Sequence, residues 1–256
     1  MRREEPLPPD APFCSIFGTC IRQPDVTAAH QMLKTLRTSA SAYLGTSFCF
    51  VDIAVPENKK TYQTDILASA VKAIGLCQPR ITFDAARTAV GYREERDTII
   101  PENQIVLAID YSNAGLGLDL ICNNEGIIEN LREEHHVGLG ASDTSPSHWE
   151  DVVAALRYIT QSPLPLCSFE DGPHDYIDYV VLYGDSTTNE GLKYVLDQVL
   201  GDELIERARK ADPEFKVALA VAESSYDVQN EIDFRGKAAF GCRWRSGLYS
   251  GQGGDL

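Results

Sequence analysis

A few short stretches of this chain carry side chains that could do chemistry. Asp110 closes the apolar run Ile105 to Ile109, and Ser112 follows it at once; a second carboxylate, Asp185, comes directly after Gly184 at the end of another apolar run, with Ser186 beside it. Carboxylates and hydroxyls released at strand ends suit general acid/base catalysis or the templating of a small organic substrate. The pair His135-His136, preceded by Glu133-Glu134, adds imidazoles that titrate near neutrality and can move protons or bind metal. Neighbouring residues of a strand point to opposite faces, so the two histidines cannot chelate from one side. With no third ligand at motif spacing, a solvent-exposed strand end is the plainer reading of the pair. Ser186-Thr187-Thr188 reads as the capped N-terminus of a helix. His30, His148 and His174 stand isolated, and no G-x-S-x-G, H-E-x-x-H or G-x-x-x-x-G-K-S/T motif occurs.

The elements that must position these groups are legible from periodicity. A helix is expected from Asp25, its N-cap, through Leu33, Leu36 and Tyr43 to Gly45. An extended run over 48–55 ends at Pro56, and Ile66, Leu67, Ala70, Val71 and Ile74 place a helix before Gly75. A strand over 80–83 and a short alanine-rich helix over 84–91, opened by Asp84 as cap, follow. The charged stretch 93–102 reads as a hinge. Three strands over 104–110, 116–122 and 126–133, joined by short Asn/Gly-bearing gaps, form an antiparallel meander. A helix with Trp149, Val152, Leu156 and Ile159 comes next, then a strand over 176–183, a helix with Leu192, Val195 and Leu196, and another helix after Asp212-Pro213. The class is mixed α/β. The expected division is a flexible segment 1–24, a truncated first lobe 25–95, a second lobe 96–245 and a flexible tail 246–256.

Four segments, in order, resemble the heat-shock chaperone ATPases of the seventy-kilodalton class. Tyr43-Leu44-Gly45 through Val55-Pro56, then Ala73 to Leu76, then Arg80 to Tyr92 are similar to that family's Y-L-G, V-P, A-G-L and R-I-I-N-E-P-T-A-A-A-x-A-Y. Ile105 to Leu116 resembles its phosphate strand pair L-V-F-D-L-G-G-G-T-F, with Gly138-Leu139-Gly140 like its L-G-G. Tyr179 to Thr187 resembles the adenosine-site stretch V-x-L-V-G-G-S-S, and Asp212 to Ala222 resembles N-P-D-E-A-V-A-x-G-A-A. The resemblance implies a reduced actin-like (ribonuclease H-like) two-lobed α/β fold whose second lobe is led by the meander. It also implies a ligand cleft lined by Asp84, Ser112, Asn113, Gly115, Gly184, Asp185 and Ser186, with Asp110 as the residue that would hold a magnesium ion through water.

The departures from that family carry the functional expectation. No D-L-G-T-T turn and no following lysine precede Asp25, the glycine triplet of the phosphate turn has become Ser112-Asn113-Ala114, and the second glycine of the adenosine stretch is Asp185. Phosphoryl transfer depends on a cradle of N–H donors and a positioned metal, so ATP, ADP and Mg2+ are disfavoured as ligands. The expectation is a degenerate chaperone-ATPase-like chain that is not an efficient ATPase and serves as a binding or regulatory module for a protein partner or a small-molecule ligand. A homodimer through apolar surface left by lost subdomains belongs to the same reading. The alternatives are an enzyme that uses the emptied cleft, with Asp110, His135 or His136 as catalytic groups, and a residual ATP/ADP binder.

Composition narrows the partners. The 256 residues hold 23 Lys and Arg against 38 Asp and Glu, a net charge of −15 that repels phosphate backbones and anionic lipid, so neither nucleic acid nor membrane is expected. With 43% hydrophobic residues the chain can bury a core. Seven cysteines, odd in number and without a CxxC pair, read as buried thiols without a disulfide framework. The opening Arg2-Arg3-Glu4-Glu5 and its prolines lack a signal peptide's apolar stretch, and a cytoplasmic location is expected.

Overall fold

The computed structural model describes residues 12–14, 20–45, 48–56, 61–78, 82–91, 104–124, 126–168, 176–209 and 213–230. Fifteen elements follow one another: β1 (Pro12–Cys14), β2 (Cys20–Arg22), α1 (Gln23–Leu44), β3 (Ala54–Val55), α2 (Thr61–Ala73), β4 (Phe83–Asp84), α3 (Ala85–Gly91), β5 (Gln104–Tyr111), β6 (Gly115–Asn124), β7 (Ile127–Val137), α4 (His148–Ile159), β8 (Tyr179–Tyr183), α5 (Glu190–Leu200), α6 (Asp202–Arg209) and α7 (Lys216–Asn230). The class is mixed α/β, as expected. The hinge at 93–102, the tail 246–256 and the start of the 80–83 strand lie outside the described residues.

The chain forms two compact units, one of Met1–Ile53, Asn58–Thr82 and Ser224–Leu256, the other of Ala54–Glu57 and Phe83–Glu223. In the first unit, Leu33 of α1 meets Ala70 and Val71 of α2 together with Ile74 and Leu76, and Arg37 caps the end of α2 by donating to the Ile74 carbonyl. The apolar run 48–55 is irregular for most of its length. Phe50 bridges Cys77, which accepts from the Val51 N–H and donates to the Cys49 carbonyl, and among the described residues of the run only Ala54–Val55 forms a strand. Part of the segment expected to be flexible is ordered, since β1 and β2 pair antiparallel with Cys14 opposite Cys20.

The second unit is built on a four-stranded sheet in the order β7-β6-β5-β8. The first three strands are the meander, and β8 returns parallel to β5 after the α4 crossover. β5 is central because both its faces are apolar, a pattern that only a strand covered on both sides can carry. Ile105, Leu107, Ile109 and Tyr111, with Leu116, Leu118 and Leu120, face α4, α5 and α6 in the larger core. On the other face, Val106 and Ala108 with Ile121 and Val181 meet Ala85, Ala86 and Ala89 of α3, whose small side chains bring that helix close. Residues 83–91, expected in the first lobe, therefore belong with the second unit's sheet.

Two sequence expectations are corrected here. β7 runs on to Val137, so His135 and His136 lie inside a paired strand, opposite Gly117 and Leu116, and are not an exposed strand end. Ser186, Thr187 and Thr188 form a turn, and the helix cap is Asn189, whose side chain accepts from the N–H groups of Gly191 and Leu192.

The cysteine reading is corrected as well. Cys122 of β6 and Cys167, beyond α4, are both buried and joined by a disulfide with their Cα atoms 5.8 Å apart. The spacing along the chain gave no hint of it, because the β6–β7 hairpin and α4 fold the 45-residue separation back on itself. The pairing removes the all-thiol premise from the cytoplasmic expectation. No helix is long and apolar enough to cross a membrane among the described residues.

Closing a loop of this length should stabilise the fold by about 4 kcal/mol through restriction of the unfolded chain. Replacing Cys122 and Cys167 together with serine should accordingly lower the urea midpoint, and the parent should show the same drop on adding reductant. Equal midpoints for parent and double variant under non-reducing conditions would argue that the two sulfurs are not bonded.

Candidate functional site

The polar groups of the sheet gather on its α3 face. Strand alternation dictates which ones: in β6 the residues Leu116, Leu118 and Leu120 turn into the large core, so Gly117 and Asp119 turn the other way. Gly117 lies opposite Asp110 on β5 and His135 on β7, and Asp119 lies opposite Ala108 and Glu133. One face therefore carries Asp110, Asp119, Glu133 and His135 in adjacent positions of three strands. Tyr183 of β8, opposite Asp110, closes the row on the far side.

The spacing of this row depends on missing side chains and on a bulge. A Cβ at Gly117 would stand 3.2 Å from the Asp110 Cβ and 3.2 Å from His135 Nδ1, so only glycine leaves both side chains where they are. Leu131 is the extra residue of a β-bulge, which shifts the register so that Asn130 falls opposite Ile121 and on the same face as Glu133. Asn130 Nδ2 then donates to Glu133 Oε1 at 2.7 Å, while Arg87 Nε of α3 donates to Asn130 Oδ1 at 2.9 Å. Asp84 caps α3 by accepting from the Arg87 N–H at 2.9 Å, as its place in the sequence suggested.

Electrostatics distinguish these groups from surface acids. Asp119 is only 2% exposed and its Oδ1 lies 3.5 Å from His135 Nε2. Burial raises its pKa, with the His135 side chain opposing the rise. Asp110 is pushed up to about 6, first by burial and then by the charge of Asp185, with His135 pulling the other way. The buried Tyr183 phenol is raised well above its usual value by burial and by the charges of Asp119, Asp110 and Asp84. Asp119 Oδ2 and the Tyr183 hydroxyl accept or donate no hydrogen bond among the described residues. Asp119, Glu133 and His135 each bring one ligand atom to within 4.8 Å of the others, a set that could hold a metal ion among the described residues.

The remaining predicted residues sit elsewhere. His136 points to the opposite face, where its Nε2 is 3.2 Å from Glu134 Oε2 and it lines a shallow surface pocket with Asp151 and Tyr158. Ser112, Asn113 and Gly115 make the β5–β6 turn, and Gly184, Asp185 and Ser186 follow β8 beside it. These two turns meet: Asp185 Oδ1 accepts from the Asn113 N–H at 2.9 Å and from Ser186 Oγ at 2.8 Å. A third segment lies against the first, because a Cβ at Gly140 would stand within 2.5 Å of Gly115 N, Asn113 O and Ser112 O, so that glycine is required for the contact. Ala141 N–H donates to Ser112 O at 2.9 Å and the Ser142 hydroxyl to Asn113 O at 2.5 Å.

His148, read as isolated, joins a hydrogen-bonded chain on the α4 face that runs from the core to the surface. Its Nε2 is 3.0 Å from the Tyr111 hydroxyl and its Nδ1 3.0 Å from Asp143 Oδ2, which also accepts from the Ser145 hydroxyl, while Asp143 Oδ1 accepts from the Ser145 N–H. With His148 only 3% exposed, its place in this chain braces α4 against β5. Asp119, Glu133 and Tyr183 were missed as site residues in the sequence. The signal was present as alternation: Gly117 and Asp119 interleave with three leucines, and Glu133 and His135 are two apart on one strand.

Because the folded state holds the Asp110 proton more tightly than the unfolded chain does, stability falls as pH rises through the window from about 4 to about 6, and the full cost remains above it. Asp110→Asn removes that cost. Its gain over the parent should grow by roughly 2 kcal/mol between pH 4.5 and pH 8, measured by urea denaturation in chelating buffer. A gain that does not change with pH would contradict the shift.

Compared with known proteins, the chain matches no protein-family model and no curated protein.

Proposed function

We propose that the chain is a degenerate relative of the chaperone ATPases of the seventy-kilodalton class, with an actin-like fold, that serves as a binding or regulatory module and not as an efficient ATPase. Two observations support the ancestry. The second unit's sheet is led by the antiparallel meander that the resemblance implies for a second lobe, and the segments similar to the family's phosphate and adenosine stretches come together at one end of that sheet.

The contact between Asp185 and Asn113 carries the functional reading. In the family the β5–β6 turn would offer backbone N–H groups to phosphate oxygens. Here the Asn113 N–H is already donated to the carboxylate of Asp185, an anion held where a phosphate would have to come. The turn's carbonyls are taken as well, Ser112 O by Ala141 N–H and Ala114 O by Gly138 N–H. A phosphate would have to displace a built-in carboxylate and then sit beside its negative charge, with Asp110 adding another. The residues present do not fit a triphosphate. The module reading follows: the frame is kept, and the anion-binding turn has become an internal joint.

Calorimetry and thermal unfolding of the full chain with ATP and ADP, each with and without Mg2+, test this. No heat and no shift are expected at about 100 μM nucleotide, against the roughly 2.7 kcal/mol of stabilisation that a ligand at a hundred times its Kd would confer. Asp185→Gly frees the Asn113 N–H, and nucleotide affinity appearing only in that variant would identify the carboxylate as the block. Micromolar, Mg2+-dependent ATP binding by the parent would overturn the reading.

A further inference from the structure

We propose that Asp119, Glu133 and His135 bind one divalent transition-metal cation of the zinc type on the α3 face of the second unit's sheet. This site is separate from the β5–β6 turn and does not depend on how that turn is read.

The donor set comes first. Three ligand atoms, two carboxylate oxygens and one imidazole nitrogen, lie within 4.8 Å of one another. Three ligands at about 2.0–2.2 Å from one ion in a tetrahedral set lie about 3.3–3.6 Å apart, so side-chain movements of at most about 1.5 Å bring these atoms onto a common centre. The imidazole decides the class of metal. Mg2+ and Ca2+ take oxygen donors, whereas a nitrogen with two carboxylates suits Zn2+ and its first-row neighbours. Three protein ligands leave a fourth position open.

The second observation is the state of Asp119 itself. It is 98% removed from solvent, and its Oδ2 has no hydrogen-bond partner among the described residues. A buried carboxylate with an unmet oxygen is costly unless a cation or a water completes it. Tyr183, 3% exposed, brings a hydroxyl that also lacks a partner and is electrostatically coupled to Asp119. Two unmet polar atoms in one buried region point to a missing occupant.

The supporting shell is already built. Metal-bound carboxylates are held by hydrogen bonds from behind, and Glu133 is held through Oε1 by Asn130, which is fixed in turn by Arg87. The bulge at Leu131 turns Asn130 toward Glu133. Gly117, between Asp110 and His135 on this face, puts no side chain between them.

Titration of the chelator-stripped full chain with ZnCl2, MnCl2, MgCl2 and CaCl2, without nucleotide, is the test. One equivalent of Zn2+ should bind at micromolar Kd or tighter, Mn2+ more weakly, and Mg2+ and Ca2+ not measurably at the same concentrations. His135→Gln and Glu133→Gln should each weaken Zn2+ by about a hundredfold and Asn130→Ala by about tenfold, while His136→Gln, on the opposite face, should leave Kd unchanged. Circular dichroism on each variant separates loss of binding from loss of fold, and Glu133→Gln keeps shape and volume should His135→Gln fail to fold. With Co2+, absorption should show nitrogen and oxygen donors only. Binding that survives His135→Gln and Glu133→Gln, binding lost in His136→Gln, or a thiolate charge-transfer band would overturn the site. So would an absence of Zn2+ binding, which would assign a water to Asp119 Oδ2. None of these outcomes bears on ATP binding, so this proposal and the blocked-turn reading fail separately.

Discussion

Burial of the Asp119 carboxylate in the middle strand of a meander is the constraint on which the second unit's architecture turns. The alternation of β6 leaves no choice about its face: with Leu116, Leu118 and Leu120 committed to the large core, Asp119 must emerge under α3. A charge there has to be met by neighbours. His135 comes from one side of it, Tyr183 lies across the sheet, and the alanine face of α3 seals the region from water. The same burial raises the pKa of Asp110 two positions along the face, so the acidity of this chain is not simply a solvated surface.

The two faces of the sheet show two ways to place polar groups inside a protein. On the α4 side, Tyr111, His148, Asp143 and Ser145 satisfy one another in a hydrogen-bonded chain, and the result is a brace. On the α3 side, oxygens of Asp119 and Tyr183 are left over. A satisfied network specifies structure, whereas an unsatisfied one marks where something else is to be bound.

At the end of the same sheet, Asp185 has the opposite character. Its carboxylate is engaged through Oδ1, which accepts from both the Asn113 N–H and the Ser186 hydroxyl. An internal anion does for the turn what an external phosphate would do, supplying acceptors to outward N–H groups. In the proposed reading this is how the frame keeps its shape after giving up its ligand. Together with the Cys122–Cys167 disulfide, it ties strand, turn and crossover to one another.

The local elements were legible because they depend on short-range periodicity. The apolar stripe of α2, Asp84 as the cap of α3, the meander and its Asn/Gly turns all follow from side chains within a few residues of one another. Asp110 and His135 were legible as candidates from their places at the expected ends of strands, whereas Asp84 entered the cleft only through the family resemblance. Other features depend on pairing partners far away in sequence. The length of β7, and with it the placing of His135 inside a strand, follows from β6 lying alongside. The bulge that turns Asn130 toward Glu133, the bond between Cys122 and Cys167, and the seating of Asp185 on Asn113 each join segments whose proximity only the folded sheet creates. The sequence by itself determined which residues are apolar, which stretches carry helical periodicity and which groups can ionise. Tertiary structure decided which of those groups share a face, because register is a property of two strands and not of either one.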